Sequence, residues 1–108
     1  MDWRIEFDHE LNRGLQARAR GNEGRARVCA RRAAGTVARE YLSRRGLDPE
    51  SRSAIDLLEQ LGRQTDLPSP LLPLVEHLTR RVDESFRLPP DVDLIAEAKR
   101  LCDALLPG

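Results

Sequence analysis

Two histidines, two cysteines, a run of arginines and one glycine-flanked turn are the residues through which this chain of 108 amino acids could do chemistry. His9 stands between Asp8 and Glu10, and His77 follows Glu76. Metal ligation on a helix needs its ligands one turn apart on one face. Asp8 and Glu10 are neighbours of His9 and project in other directions; only Glu6 stands three residues away. A single such pair arises readily by chance, so both histidines read as exposed surface residues and no metal site is expected. Cys29 and Cys102 are far apart and lack the spacing of a metal knuckle or a redox pair. They read as buried free thiols. The turn Gly21-Asn22-Glu23-Gly24 lacks the Lys-Ser/Thr that completes a phosphate-binding loop. Its backbone N–H groups are an anion seat only in the sense that every helix start is one.

That leaves arginine. Of the 18 basic residues all but Lys99 are Arg. Arginine suits bidentate contacts to carboxylates and phosphates, although GC-rich coding produces the same bias. Arg25, Arg32 and Arg39 are spaced by seven and share one side of a helical stretch. They are the candidate nucleic-acid-binding residues; the side they occupy reads first as a solvated face. No catalytic residue and no cofactor-binding residue stands out, so the sequence leaves enzymatic activity open and leans to a non-catalytic reading.

The element carrying these arginines is NEGRARVCARRAAGTVAREYLSRRG, residues 22–46. Asn22 is an N-cap residue, Glu23 complements the helix dipole, and Arg44, Arg45 and Gly46 form a C-terminal stop. At about 100° per residue, Ala26, Ala30, Ala33, Ala34, Val37 and Tyr41 fall in one sector. That face is small, so a neighbouring backbone can approach it closely. Gly35 lowers helix propensity by up to about 1 kcal/mol relative to Ala, and the periodicity gives no reason for it.

Around this helix the chain reads as all-α: an up-and-down bundle of four to five helices at about 2–20, 23–45, 53–63, 70–86 and 92–106, forming one domain. Trp3, Phe7, Leu11 and Leu15 make the stripe of the first helix, with Asp2 as its cap. Ile55, Leu57, Leu58 and Leu61 belong to the third, started at Asp48-Pro49 or at Ser53 with Asp56. Ser69-Pro70 opens the fourth, with Leu71, Leu72, Val75, Leu78 and Val82 inward, and Leu88-Pro89-Pro90 stops it. Asp91 or Asp93 caps the fifth, where Ile95, Ala98, Leu101, Cys102 and Leu105 face inward. No alternating β-branched run signals a strand.

Net charge is zero but unevenly spread. Residues 1–46 hold eleven arginines against six acids, a balance of +5, and residues 47–108 hold seven basic against twelve acidic residues, a balance of −5. Such a chain pairs its own halves or a partner subunit, whereas a generic nucleic-acid binder is basic overall. With no apolar run near about 18 residues and no signal peptide, the expectation is a cytoplasmic protein away from the membrane. A small-ligand pocket between helices finds no polar constellation in the sequence to support it.

The stretch GNEGRARVCARRAAGTVAREYLSRRG, then SAIDLLEQL, then RVDESFRLPPDVDLIAEAKRLCDALL resembles the HEPN superfamily of small α-helical domains. The likeness lies in a Gly-containing turn before an Ala-rich helix, a short Leu-rich helix, and a proline break before a final Ala/Leu helix. It implies a helical bundle, frequently dimeric, that acts as an RNase, as a nucleotidyltransferase partner in a toxin–antitoxin pair, or as a non-catalytic binding domain. The RNase branch carries an Arg followed four to six residues later by His, late in the bundle. Arg80, Arg81 and Arg87 have no such His; Arg4 and His9 fit the spacing but lie in the first helix. The sequence therefore points to a non-catalytic interaction module that forms a homodimer or binds a protein partner. An RNA- or nucleotide-binding protein is the alternative.

Overall fold

In the computed structural model, residues 2–47, 53–80 and 92–107 are described. They form an all-α bundle: α1 (Trp3–Ala19), α2 (Glu23–Arg44), α3 (Ala54–Gly62), a 3-10 turn (Ser69–Leu71), α4 (Leu72–Thr79) and α5 (Leu94–Leu105). No strand occurs among the described residues.

The helix ends follow from local chemistry. The Asp2 carboxylate accepts the Arg4 N–H at 2.9 Å, Asn22 accepts the Arg25 N–H at 3.0 Å, and Asp93 accepts those of Ile95 and Ala96. Each satisfies a backbone donor that the first turn leaves without a partner. Ser53 holds the capping position of α3 without a side-chain capping bond. Glycine ends α1 and α2 in the same way. Gly21 and Gly46 have φ of 79° and 78°. Asn22 N–H then reaches Ala17 O at 2.8 Å, and Leu47 N–H reaches Leu42 O at 3.0 Å, the paired closure that a left-handed residue permits.

α2 is the centre of the bundle and packs against α1, α3, α4 and α5. Ala33 through Ala38 are six consecutive buried residues, so the middle of the helix is covered all round. Its small face lies in one hydrophobic cluster with Phe7, Leu57, Leu58, Leu61, Leu78, Leu94 and Leu101, large side chains filling what the alanines leave open. Gly35 now has a reason. A Cβ there would stand 2.8 Å from the Ala54 Cβ and 2.9 Å from its Cα, so α3 starts against bare α2 backbone. Cys29 and Cys102 are buried and unbridged.

Several expectations are corrected. Leu15 does not continue the α1 stripe; it is 49 % exposed. A spacing of four advances about 40° per step around a helix, and by the fourth member the line has rotated out of the contact. Gly14 and Ala17 are buried in its place, Gly14 so close that a Cβ would meet the Cys29 Cβ at 3.3 Å. Leu72 is exposed where Leu74 is buried. The fourth helix ends at Thr79, not near residue 86: Arg80 is extended at φ −72°, ψ 120°. Arg31 receives that end, donating from Nε to Leu78 O at 3.1 Å and from Nη2 to Arg80 O at 2.9 Å. Val82, Phe86, Leu88-Pro89-Pro90, Asp91 and Asp48-Pro49 lie outside the described residues.

Candidate functional site

His77 is the first departure from the sequence reading of the chemically competent residues. It is not a surface histidine: its Nδ1 lies 2.9 and 3.0 Å from the two carboxylate oxygens of Glu97, a buried residue on the inner side of α5. A buried carboxylate demands a donor, and α4 packs against α5 so as to supply one. The pair ties two helices together. His9 is exposed. Arg4, five residues before it, is engaged elsewhere: it pairs with Asp8, lies 5.7 Å from the Trp3 and Phe7 ring centres, and reaches the Cys102 sulfur at 3.6 Å. Burial pushes the Cys102 thiol up, with the Arg4 charge opposing.

A second cluster joins α1, α2 and α5. Arg18 contacts Glu23 at 2.7 Å and Asp93 at 3.0 Å. The two hydrogen bonds raise the Arg18 pKa above its ordinary range. The bond from Arg18 holds Glu23 below the usual carboxylate range. Burial pushes Asp93 up, yet Arg18 and the backbone donors of Ala96 and Ile95 outweigh it, and its net direction is down. With the Arg45–Asp66 pair, this gives two contacts in which the basic first half of the chain meets the acidic second half.

The remaining arginines build a cavity of about 570 Å³, a volume in the range of small-ligand sites. Its floor is the side of α2 turned away from the small-residue face, with Val28, Arg31, Arg32, Gly35, Thr36 and Arg39. Residues 28, 32, 35 and 39 recur at helical spacing and so lie in one line. Glu6 and Glu10, one turn apart on α1, form one wall. Ser53, Ala54, Ile55 and Leu57, at the start of α3, form the other. The close seat of α3 on Gly35 is what brings that wall near.

The charges in this cavity are unequally satisfied. Arg39 Nη2 meets Glu6 Oε2 at 2.9 Å, an ion pair linking floor to wall. Thr36 turns its hydroxyl to the Arg32 carbonyl at 3.1 Å, within its own helix. Arg31 spends its donors on the end of α4; burial, with the nearby Arg27 charge, pulls its pKa below the ordinary arginine value. Glu10 meets Arg13 through Oε1 at a long 3.5 Å, while its Oε2 is out of reach of water and of any donor among the described residues. Arg32 is exposed and has no ion-pair partner among the described residues.

Of the three arginines singled out by spacing, Arg32 and Arg39 therefore line one cavity and Arg25 does not. Arg25 lies exposed in the first turn of α2. Sequence reasoning missed Glu6, Glu10 and the α3 wall. Glu6 and Glu10 stand one turn apart, a spacing visible in the sequence, but nothing there says that α2 lies opposite. Among the described residues no group of three His, Cys, Asp or Glu is placed to hold a metal ion, and no helix is long and apolar enough to cross a membrane. No protein-family model, curated protein or solved structure matches this chain.

Proposed function

We propose that this chain is a non-catalytic helical interaction module, HEPN-like in character, which works by holding a protein partner, a second copy of itself included. The observation that supports this reading is the cavity floored by α2. It combines charges of both signs with the aliphatic surface of Val28, Ile55 and Leu57, the mixture that a protein segment satisfies and a polyanion does not. Two of its charged groups, Arg32 and Glu10, are left with bonding capacity unspent. Arg32 is exposed and its guanidinium is open to a partner, while Glu10 Oε2 is a buried polar atom without a donor, a rarity in folded proteins. Nothing in this reading needs a nucleophile or a general base.

Light scattering at micromolar concentration tests the self-association arm: a dimer is expected, and a clean 12.2 kDa monomer removes it. The alternative, RNA or nucleotide binding, takes its support from Arg32, whose guanidinium is open to a phosphate. Phosphate contacts weaken steeply with salt, so an RNA-binding titration from low to moderate salt decides it. Absence of binding at low salt removes that reading.

A further inference from the structure

Resting on the cavity as the place where this module binds, we infer that its ligand carries a single carboxylate on an aliphatic stem, with Arg32 as the anchor for the carboxylate. Two sources supply that chemistry: a free medium-chain carboxylic acid, or the carboxyl end of a partner's chain.

Charge bookkeeping selects one anion. The lining holds Arg31, Arg32 and Arg39 against Glu6 and Glu10, an excess of one positive charge. Arg39 is already paired with Glu6, and Arg31 donates to the carbonyls of Leu78 and Arg80. Only Arg32 offers a whole guanidinium fork, whose planar pair of donors matches a carboxylate. A ligand with two or three negative charges would set its remaining charge near Glu6 and Glu10. Glu10 Oε2 already lacks a donor, so a further anion there adds like-charge repulsion. Beside Gly35, Thr36, Ser53 and Ala54, the lining includes the aliphatic side chains of Val28 on the floor and of Ile55 and the buried Leu57 on the α3 wall. Apolar area removed from water stabilises by about 25 cal/mol per Å², which an aliphatic stem would use and a phosphate would not.

The test is methyl NMR titration of the full chain with octanoate and with acetyl-leucyl-leucine, each beside its neutral amide. Both acids are expected to shift the Val28, Ile55 and Leu57 methyls, and the amides to bind about tenfold more weakly, the worth of one charge-assisted contact. In Arg32→Ala the acid and amide should bind alike, and Arg32→Lys should restore part of the preference. Tighter binding of octanoate points to the free ligand, and tighter binding of the dipeptide to a partner's chain end. Equal binding of acid and amide to the natural chain overturns the inference, as does a preference that survives Arg32→Ala. If AMP shifts these methyls and the acids do not, the ligand class falls while the cavity remains a binding site. If no probe moves them and light scattering shows only monomer, the binding reading falls as well.

Discussion

The two sides of α2 share a backbone and a helical propensity but were made by different means. One side is the alanine face, with Ala26, Ala30, Ala33, Ala34 and Val37 fully buried against bulky neighbours. The other is the arginine side, where Arg31, Arg32 and Arg39 floor a cavity between α1 and α3. The first is closed by size complementarity, which leaves those five residues with no exposed surface. The second carries polar links instead, Arg39–Glu6 across to α1 and Arg31 to the end of α4. One helix can therefore be rigid scaffold on one side and a concave, partly unsatisfied surface on the other. Gly35 is the hinge of this contrast, since its missing side chain sets how near α3 comes.

Enlarging the alanine face should have the largest effect. Ala33→Leu adds bulk where there is no space, and overpacking of that kind costs about 3 kcal/mol at the upper end of its usual range; chemical denaturation should show it as a lowered midpoint. Next comes Gly35→Ala. Alanine gains up to about 1 kcal/mol of helix propensity, but the new methyl would fall 2.8 Å from Ala54, and moving α3 outweighs the gain. The expected net loss is about 1–2 kcal/mol, accompanied by shifted Ile55 and Leu57 methyl signals, because the cavity wall moves. A midpoint that rises instead would mean that α3 is not seated on Gly35.

The Arg18 cluster, at the start of α2, lies between these cases. Glu23 and Asp93 are held below the ordinary carboxylate range, so the folded state binds protons less readily than the unfolded chain. Their stabilisation is present above the unfolded carboxylate pKa of about 4 and is lost as the pH falls through the lower folded values. Arg18→Ala should cost about 1 kcal/mol at pH 7, a modest figure because the groups are a third to a half exposed. The loss of stability between pH 5 and acid should be shallower in the variant than in the natural chain, as urea melts at a series of pH values would show. Arg32→Ala is the smallest: it should leave stability within about 0.5 kcal/mol and change only ligand preference. A large loss of stability there would make Arg32 a structural residue and erase the contrast between the two sides.

Much of this was legible along the chain. Asp2, Asn22 and Asp93 are short polar residues before apolar periodicity, and they cap their helices. Gly46 stands after two arginines and takes the left-handed conformation. Size patterning exposed the alanine face. Leu15 failed because a four-residue spacing slowly leaves a helix contact. His77 failed because the burial of Glu97, twenty residues away, is a tertiary event that no local pattern reports. The cavity was illegible for the same reason: Glu6, Arg39 and Ala54 are distant in sequence, and each alone looks like an ordinary helix residue.

The sequence by itself determined an all-α chain, the capped starts of α1, α2 and α5, and a central helix with one small face, because capping and 3.6-residue periodicity act within a few residues. Only the tertiary structure decided that the arginine side of that helix would be walled by α1 carboxylates and the start of α3. The distance between helices is set by which side chains, or which absent side chain at Gly35, meet at the contact.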